Sequence, residues 1–131
     1  MSTAPPADRL PDPALSDADY HKHADAFIES LLEFLEELGD VTDVDGYDVV
    51  YSSGVLTLKL GEHGTYVVNK QPPNKQLWLS SPVSGPKRYD VRLSDCRWIY
   101  SRDGHSLDEL LNTELSQMLG DKIAWKPPGL A

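Results

Sequence analysis

The sequence predicts an α+β two-layer sandwich, with two helices packed on one face of an antiparallel β-sheet. Three observations predict it. An apolar stripe at helical spacing comes first, a run of short alternating segments joined by tight turns fills the middle, and a second helical stripe follows. Strands joined by short turns pair antiparallel, and both helices can then cover the same face. With 131 residues, 40% of them hydrophobic and 25% charged, the chain can build one domain around a single core. The expected division is a disordered Pro- and Ala-rich tail over residues 1–15, a folded domain over 16–120 and a C-terminal tail over 121–131.

Ser16 or Asp17 caps the first helix, and Tyr20, Ala24, Phe27, Ile28, Leu31, Leu35 and Leu38 recur at three- and four-residue spacing. Gly39 is the expected stop. Strands are expected over 48–52, 55–60, 65–71, 76–81, 87–93 and 97–100. Between them lie the breakers Ser53-Gly54, Gly61 to Gly64, Pro72-Pro73, Pro82 to Pro86 and Ser94-Asp95. In the Pro72-Pro73-Asn74 turn, proline pre-sets the backbone and asparagine tolerates the left-handed region. Ser106-Leu107-Asp108-Glu109 has the capping-box pattern, in which the Ser and Glu side chains serve free backbone N–H groups. Leu107, Leu110, Leu111, Leu115, Met118 and Leu119 form the second stripe, and Gly120 ends it. Ile123 and Trp125 are the tail residues able to pack back.

The net charge of −9 is unevenly spread. Residues 17–48 hold eleven acids and one lysine, whereas residues 49–131 hold ten bases and eight acids. One edge of the molecule is therefore strongly acidic, which disfavours nucleic acid as its partner and favours cations or a basic protein surface. One cysteine, Cys96, excludes an internal disulfide and a multi-cysteine zinc site, and an inert role is expected for it. No apolar run approaches the ~20 residues that span a membrane. The N-terminus has no secretory apolar region and, with acids and a single arginine, is unlike an import presequence, so a processed or truncated form is expected if a precursor is imported. P-loop, dinucleotide, nucleophile-elbow and zinc-protease motifs are all absent.

Two groups of residues carry candidate chemistry. Asp25, Glu29, Glu33, Glu36, Glu37 and Asp40 recur along the first helix. Like charges four apart weaken a helix by ~0.2–0.5 kcal/mol per pair, so folding alone would prefer interspersed lysines. A solvated helix face is the plain alternative to a weak, open site for hard cations. His21 and His23, two apart, do not share a helical face, so a joint chelate is not expected, although either could act with Asp17 or Asp25. His63 and His105 fall in turns and are given no role. In the second group, strand parity puts Asn69 and Gln71 opposite Tyr66 and Val68, Gln76 and Trp78 opposite Leu77 and Leu79, and Arg88 opposite Tyr89 and Val91. Amides, an indole and a guanidinium on one open face suit a protein interface better than a catalytic pocket. An ordinary solvated sheet face is the alternative. Trp98 is expected in the core.

The run Asn69-Lys70-Gln71-Pro72-Pro73-Asn74-Lys75-Gln76-Leu77-Trp78-Leu79-Ser80-Ser81-Pro82 closely resembles the signature segment of the frataxin family. The resemblance extends through Gly54-Val55-Leu56-Thr57, Gly64-Thr65-Tyr66-Val67-Val68 and Ser84-Gly85-Pro86-Lys87-Arg88-Tyr89-Asp90, from about Tyr20 to about Leu119. It implies the same sandwich. It further implies an acidic ridge that binds ferrous and ferric iron weakly, at Asp25, Glu29, Glu33, Glu36, Glu37, Asp40 and Asp48. Gly46 and Ala26 stand where some relatives carry acids, so no stoichiometry is implied. Asn69, Gln71, Gln76, Trp78 and Arg88 match positions that contact an iron–sulfur scaffold protein and a cysteine desulfurase, with Lys70, Asn74 and Lys75 in the same segment. The implied function is regulation of iron–sulfur cluster assembly by an iron-binding protein that stimulates sulfur transfer and delivers iron. The alternative is a ferroxidase and iron-storage protein that forms iron-dependent oligomers, and a third reading is an acidic domain binding a basic partner unrelated to iron. The resemblance implies the mitochondrial matrix, and Tyr20-His21, Ala24-Asp25 and Pro72-Pro73-Asn74 look fungal-like.

Overall fold

The computed structural model describes residues 10–128. Helix α1 (Asp17–Val41) precedes strands β1 (Tyr47–Ser52), β2 (Val55–Leu60), β3 (Thr65–Gln71), β4 (Gln76–Ser81), β5 (Gly85–Arg92) and β6 (Arg97–Tyr100), and α2 (Leu107–Leu119) follows. The six strands pair antiparallel in sequence order, so every neighbour is a hairpin partner. Both helices cover one face. The core joins Phe27, Ile28, Leu31 and Leu35 of α1 and Leu111 and Leu115 of α2 to Leu56, Leu58, Tyr66, Val68, Leu77, Tyr89 and Trp98 of the sheet. The expected sandwich is observed.

All seven predicted stripe positions of α1 are buried. Ser16 caps the helix by accepting from the Asp19 amide at 3.0 Å. The expected stop at Gly39 is overrun, because this glycine serves packing. A Cβ there would lie 2.5 Å from Cε1 of Tyr47, whose hydroxyl donates to the Leu35 carbonyl. The β1–β2 turn places Ser53 (φ 52) and Gly54 (φ 79) in the left-handed region, as a type I′ hairpin requires. The β3–β4 reversal differs from expectation. Pro72–Asn74 forms a 3-10 turn, and Lys75 rather than Asn74 takes the left-handed position, with φ 53.

The capping box of α2 is only half formed. Ser106 accepts from the Glu109 amide, but the Glu109 carboxylate turns to Arg97, which also binds Asp108 and Ser106. An arginine within reach competes better for a carboxylate than a backbone amide does. Gly120, at φ 74, ends the helix as predicted.

Both expected tails prove partly structured. Residues 1–9 of the N-terminal tail lie outside the described residues, yet Leu15 is buried in the core and Asp12 holds the turn before α1 through the Ala14 amide. On the other side, Asn112 clasps the backbone of Trp125 through two bonds, to its carbonyl at 2.8 Å and from its amide at 2.9 Å. Trp125 then packs edge-on to Phe27 and stacks on Phe34. Trp125→Ala is expected to destabilise the fold by about 3 kcal/mol, the usual cost of emptying a buried aromatic site. Urea unfolding measures it; an unchanged midpoint would show that the segment merely rests on the helices.

Candidate functional site

The open face of the sheet assembles the predicted patch as a grid. Gln71 pairs across the ladder with Gln76, and Gln76 with Asp90; in the next row Asn69 pairs with Trp78, and Trp78 with Arg88. Parity puts these six side chains on the face opposite the helices. The Arg88 guanidinium lies over the Trp78 ring, 4.3 Å from its centroid, a cation–π contact that covers one face of the indole. The Trp78 Nε1–H donates to Oε1 of Gln76 at 2.9 Å, and the Gln76 amide donates to Asp90 at 3.2 Å. The row is tied to the helix layer through buried Tyr20, whose hydroxyl donates to the Gln76 carbonyl and accepts from the Gln71 amide. Burial pushes the Tyr20 phenol up to about 12, so it stays a neutral donor. The Tyr100-Ser101-Arg102 stretch borders the grid, and with Asn69, Gln76, Trp78, Arg88 and Asp90 it lines an open groove of about 740 Å³.

Three residues of the predicted patch fall elsewhere. Lys70 shares the parity of Tyr66 and Val68, points to the helix layer and pairs with Asp25 at 2.5 Å. Lys75 reaches back to the Leu15 carbonyl at 2.8 Å, with Asp17 at 3.7 Å. Both lysines thus brace the start of α1 against the β3–β4 reversal. Asn74 is exposed on the reversal itself.

The acidic ridge divides as well. Glu29, Glu33, Glu36, Glu37 and Asp40 are exposed along α1, whereas Asp25 is half-buried and already paired with Lys70. Asp48 is exposed on β1, opposite Lys59 on β2. It lines a shallow groove of about 570 Å³ with Glu36, Asp40, Asp43 and Asp45. Asp43 and Asp45 belong to the acidic edge but are not among the expected ligands, and their place beside Asp48 depends on the α1–β1 connection. No basic residue occupies the last turn of α1, so its carbonyl end adds partial negative charge to the carboxylates there. Among the described residues no three His, Cys, Asp or Glu side chains converge as a preformed metal cage. The ridge is therefore an open, solvated carboxylate surface, suited to weak capture of hard cations.

His21 is exposed against the edge of Tyr20, and His23 is half-exposed. His105, given no role from sequence, has a structural one. Its ring joins Asp103 and the buried Tyr89 hydroxyl, each at 2.6 Å, and closes the turn that borders the groove. Cys96 is half-buried, and Trp98 is buried, as expected for the tryptophan.

The chain matches the family model described as "Frataxin-like domain" over residues 13–121. It is 49% identical over 109 residues to "Frataxin, mitochondrial" of Arabidopsis thaliana, covering 83% of this chain and 58% of that one. It is 45% identical to "Frataxin homolog, mitochondrial" of Schizosaccharomyces pombe over 113 residues, covering 86% and 72%. The chain thus spans little more than half the length of the plant relative. A plant and a fungal relative match about equally, so the similarity does not single out fungi. Among solved structures, trimeric frataxin from Saccharomyces cerevisiae complexed with ferrous iron superposes with a TM-score of 0.69 at 41% identity, covering 86% of this chain and 96% of that one.

Proposed function

The chain belongs to the frataxin family, and from that premise we propose that it is an iron-binding regulator of iron–sulfur cluster assembly. Like its relatives, it is a mitochondrial protein, and the matrix is the compartment that this function requires. It docks on a complex of cysteine desulfurase and scaffold protein and stimulates sulfur transfer. The observation that carries this reading is the grid of Asn69, Gln71, Gln76, Trp78 and Arg88 on the sheet face that neither helix covers. It offers an aromatic anchor with amides and a guanidinium around it, the composition of a binding hot spot. The acidic ridge meets basic residues of the desulfurase. Stimulation then arises by differential binding to one conformation of the partner complex, with no bond made or broken on this chain. Sulfide production by a purified desulfurase–scaffold complex, with and without this protein, tests the proposal. Unchanged production would remove it.

A second reading is favoured by the solved trimer that carries ferrous iron. On this reading the ridge holds ferrous iron while dissolved dioxygen, the electron acceptor, takes one electron from each ion, and oligomers store the ferric product. Both readings require the ridge. Replacing Glu29, Glu33 and Glu36 together by Gln is expected to weaken iron binding about tenfold, since carboxylate charge sets the affinity of such sites. Helix stability should hold or rise slightly, because the like-charged pair Glu29 and Glu33 is removed. Calorimetric titration with ferrous iron under anaerobic conditions makes the measurement. Unchanged affinity in the triple variant would take the ridge out of both readings.

A further inference from the structure

We infer that Asp90 is a positioning residue for the docking face, fixing through Gln76 the orientation in which Trp78 is presented to the partner. The inference rests on the reading of the sheet face as a docking surface and adds a member that this reading does not include.

Asp90 lies on the open face of β5, opposite Gln76 and between the cross-strand neighbours Gln76 and Ile99. Its position would ordinarily face solvent, yet the residue is only 5% exposed. A buried carboxylate normally has a cationic partner. Here the nearby guanidinium of Arg88 is committed to the Trp78 ring, and no ion pair to Asp90 occurs among the described residues. The hydrogen bond it receives comes from the neutral Gln76 amide. Burial accordingly pushes the Asp90 carboxyl above the usual carboxylate range, and the Gln76 bond only partly offsets this. Such a group works against stability near neutral pH, because the ionised form is penalised in the fold and not in the unfolded chain.

What the carboxylate does is orient. As an acceptor at this point it forces the nitrogen of the Gln76 amide toward β5 and leaves the amide oxygen toward Trp78. That oxygen takes the indole N–H. With Arg88 on its face, the ring is fixed at both its edge and its plane. The pinned ring wall of the groove is then ready for a partner without a loss of rotamer freedom on binding. The partner meets the apolar edge of the indole, since the N–H is already used.

The relay makes separable predictions. Asp90→Ala removes the acceptor. Gln76→Met fills the same space and interrupts the relay without leaving a cavity. In both, solvent exchange of the Trp78 indole proton, followed by NMR and assigned with a Trp78→Phe control, is expected to speed roughly fivefold to tenfold. Half-maximal stimulation of the desulfurase–scaffold complex should then require about tenfold more protein. Asp90→Asn keeps a neutral acceptor and is expected to recover both readouts with a melting temperature no lower than wild type. A purely structural role would instead lower the melting temperature of Asp90→Asn and Asp90→Ala together. An indole unmoved in Asp90→Ala, or moved with stimulation unchanged, overturns the proposal. If the wild-type protein gives no stimulation at all, it is the docking reading that fails, and the indole exchange still decides the relay.

Discussion

Trp78→Ala is expected to reduce stimulation of the desulfurase–scaffold complex to near its basal rate while leaving the fold intact. The indole is half-buried on the sheet face away from the helices, outside the core that Leu77 and Leu79 enter from the same strand. Truncation removes the Arg88 stack and the bond to Gln76, contacts local to the open face. Cross-strand pairs of this kind are worth ~0.2–1 kcal/mol each, so unfolding should shift by about 1–2 kcal/mol. The binding loss is larger. A central tryptophan anchor typically costs ~2–4 kcal/mol when cut to alanine, or roughly thirtyfold to a thousandfold in affinity. The two effects can therefore be told apart by titrating stimulation and by thermal melting on the same preparation. A large fall in melting temperature would show Trp78 to be a fold residue, and full stimulation by a folded variant would remove it from the interface.

Much of the fold was legible because it is written in periodicity. The seven buried positions of α1 follow from spacing alone, and strand parity places Asn69, Gln71, Gln76, Trp78 and Arg88 on one face. The same parity, carried one residue further, sends Lys70 with Tyr66 and Val68 to the helix layer. Motif membership put it instead with its neighbours in sequence, and its partner Asp25 stands 45 residues away. Asp90 could not be found by counting. Parity alone makes it a solvent-facing acid, whereas in the fold it sits between Gln76 and Ile99 on the neighbouring strands and is 5% exposed. Gly39 misled for a related reason. A glycine at the end of a helical stripe signals a stop, but here it admits a tyrosine ring from a strand that comes later in the chain.

Glu114 left a signal that composition could have raised, for it interrupts the apolar stripe of α2 beside Leu111 and Leu115. It is only 8% exposed, and three hydroxyls converge on it. Tyr66 and Ser81 donate to Oε1 at 2.7 and 2.6 Å, and Ser84 donates to Oε2 at 2.6 Å. The carboxylate thus ties α2 to β3 and to the β4–β5 turn, where the Ser81 hydroxyl also accepts from the Val83 and Ser84 amides. Glu114→Ala is expected to destabilise the protein by about 3–5 kcal/mol. Two buried hydroxyls lose their acceptor at ~1–3 kcal/mol each, and a cavity is added. Glu114→Gln should cost only about 1 kcal/mol, because its carbonyl still accepts from Tyr66 and Ser81 while its amide can donate to the Ser84 oxygen. Urea unfolding of the two variants compares them directly. Equal losses would mean that the negative charge holds this junction; the expected gap between them assigns the work to the acceptor geometry, which the neutral amide reproduces.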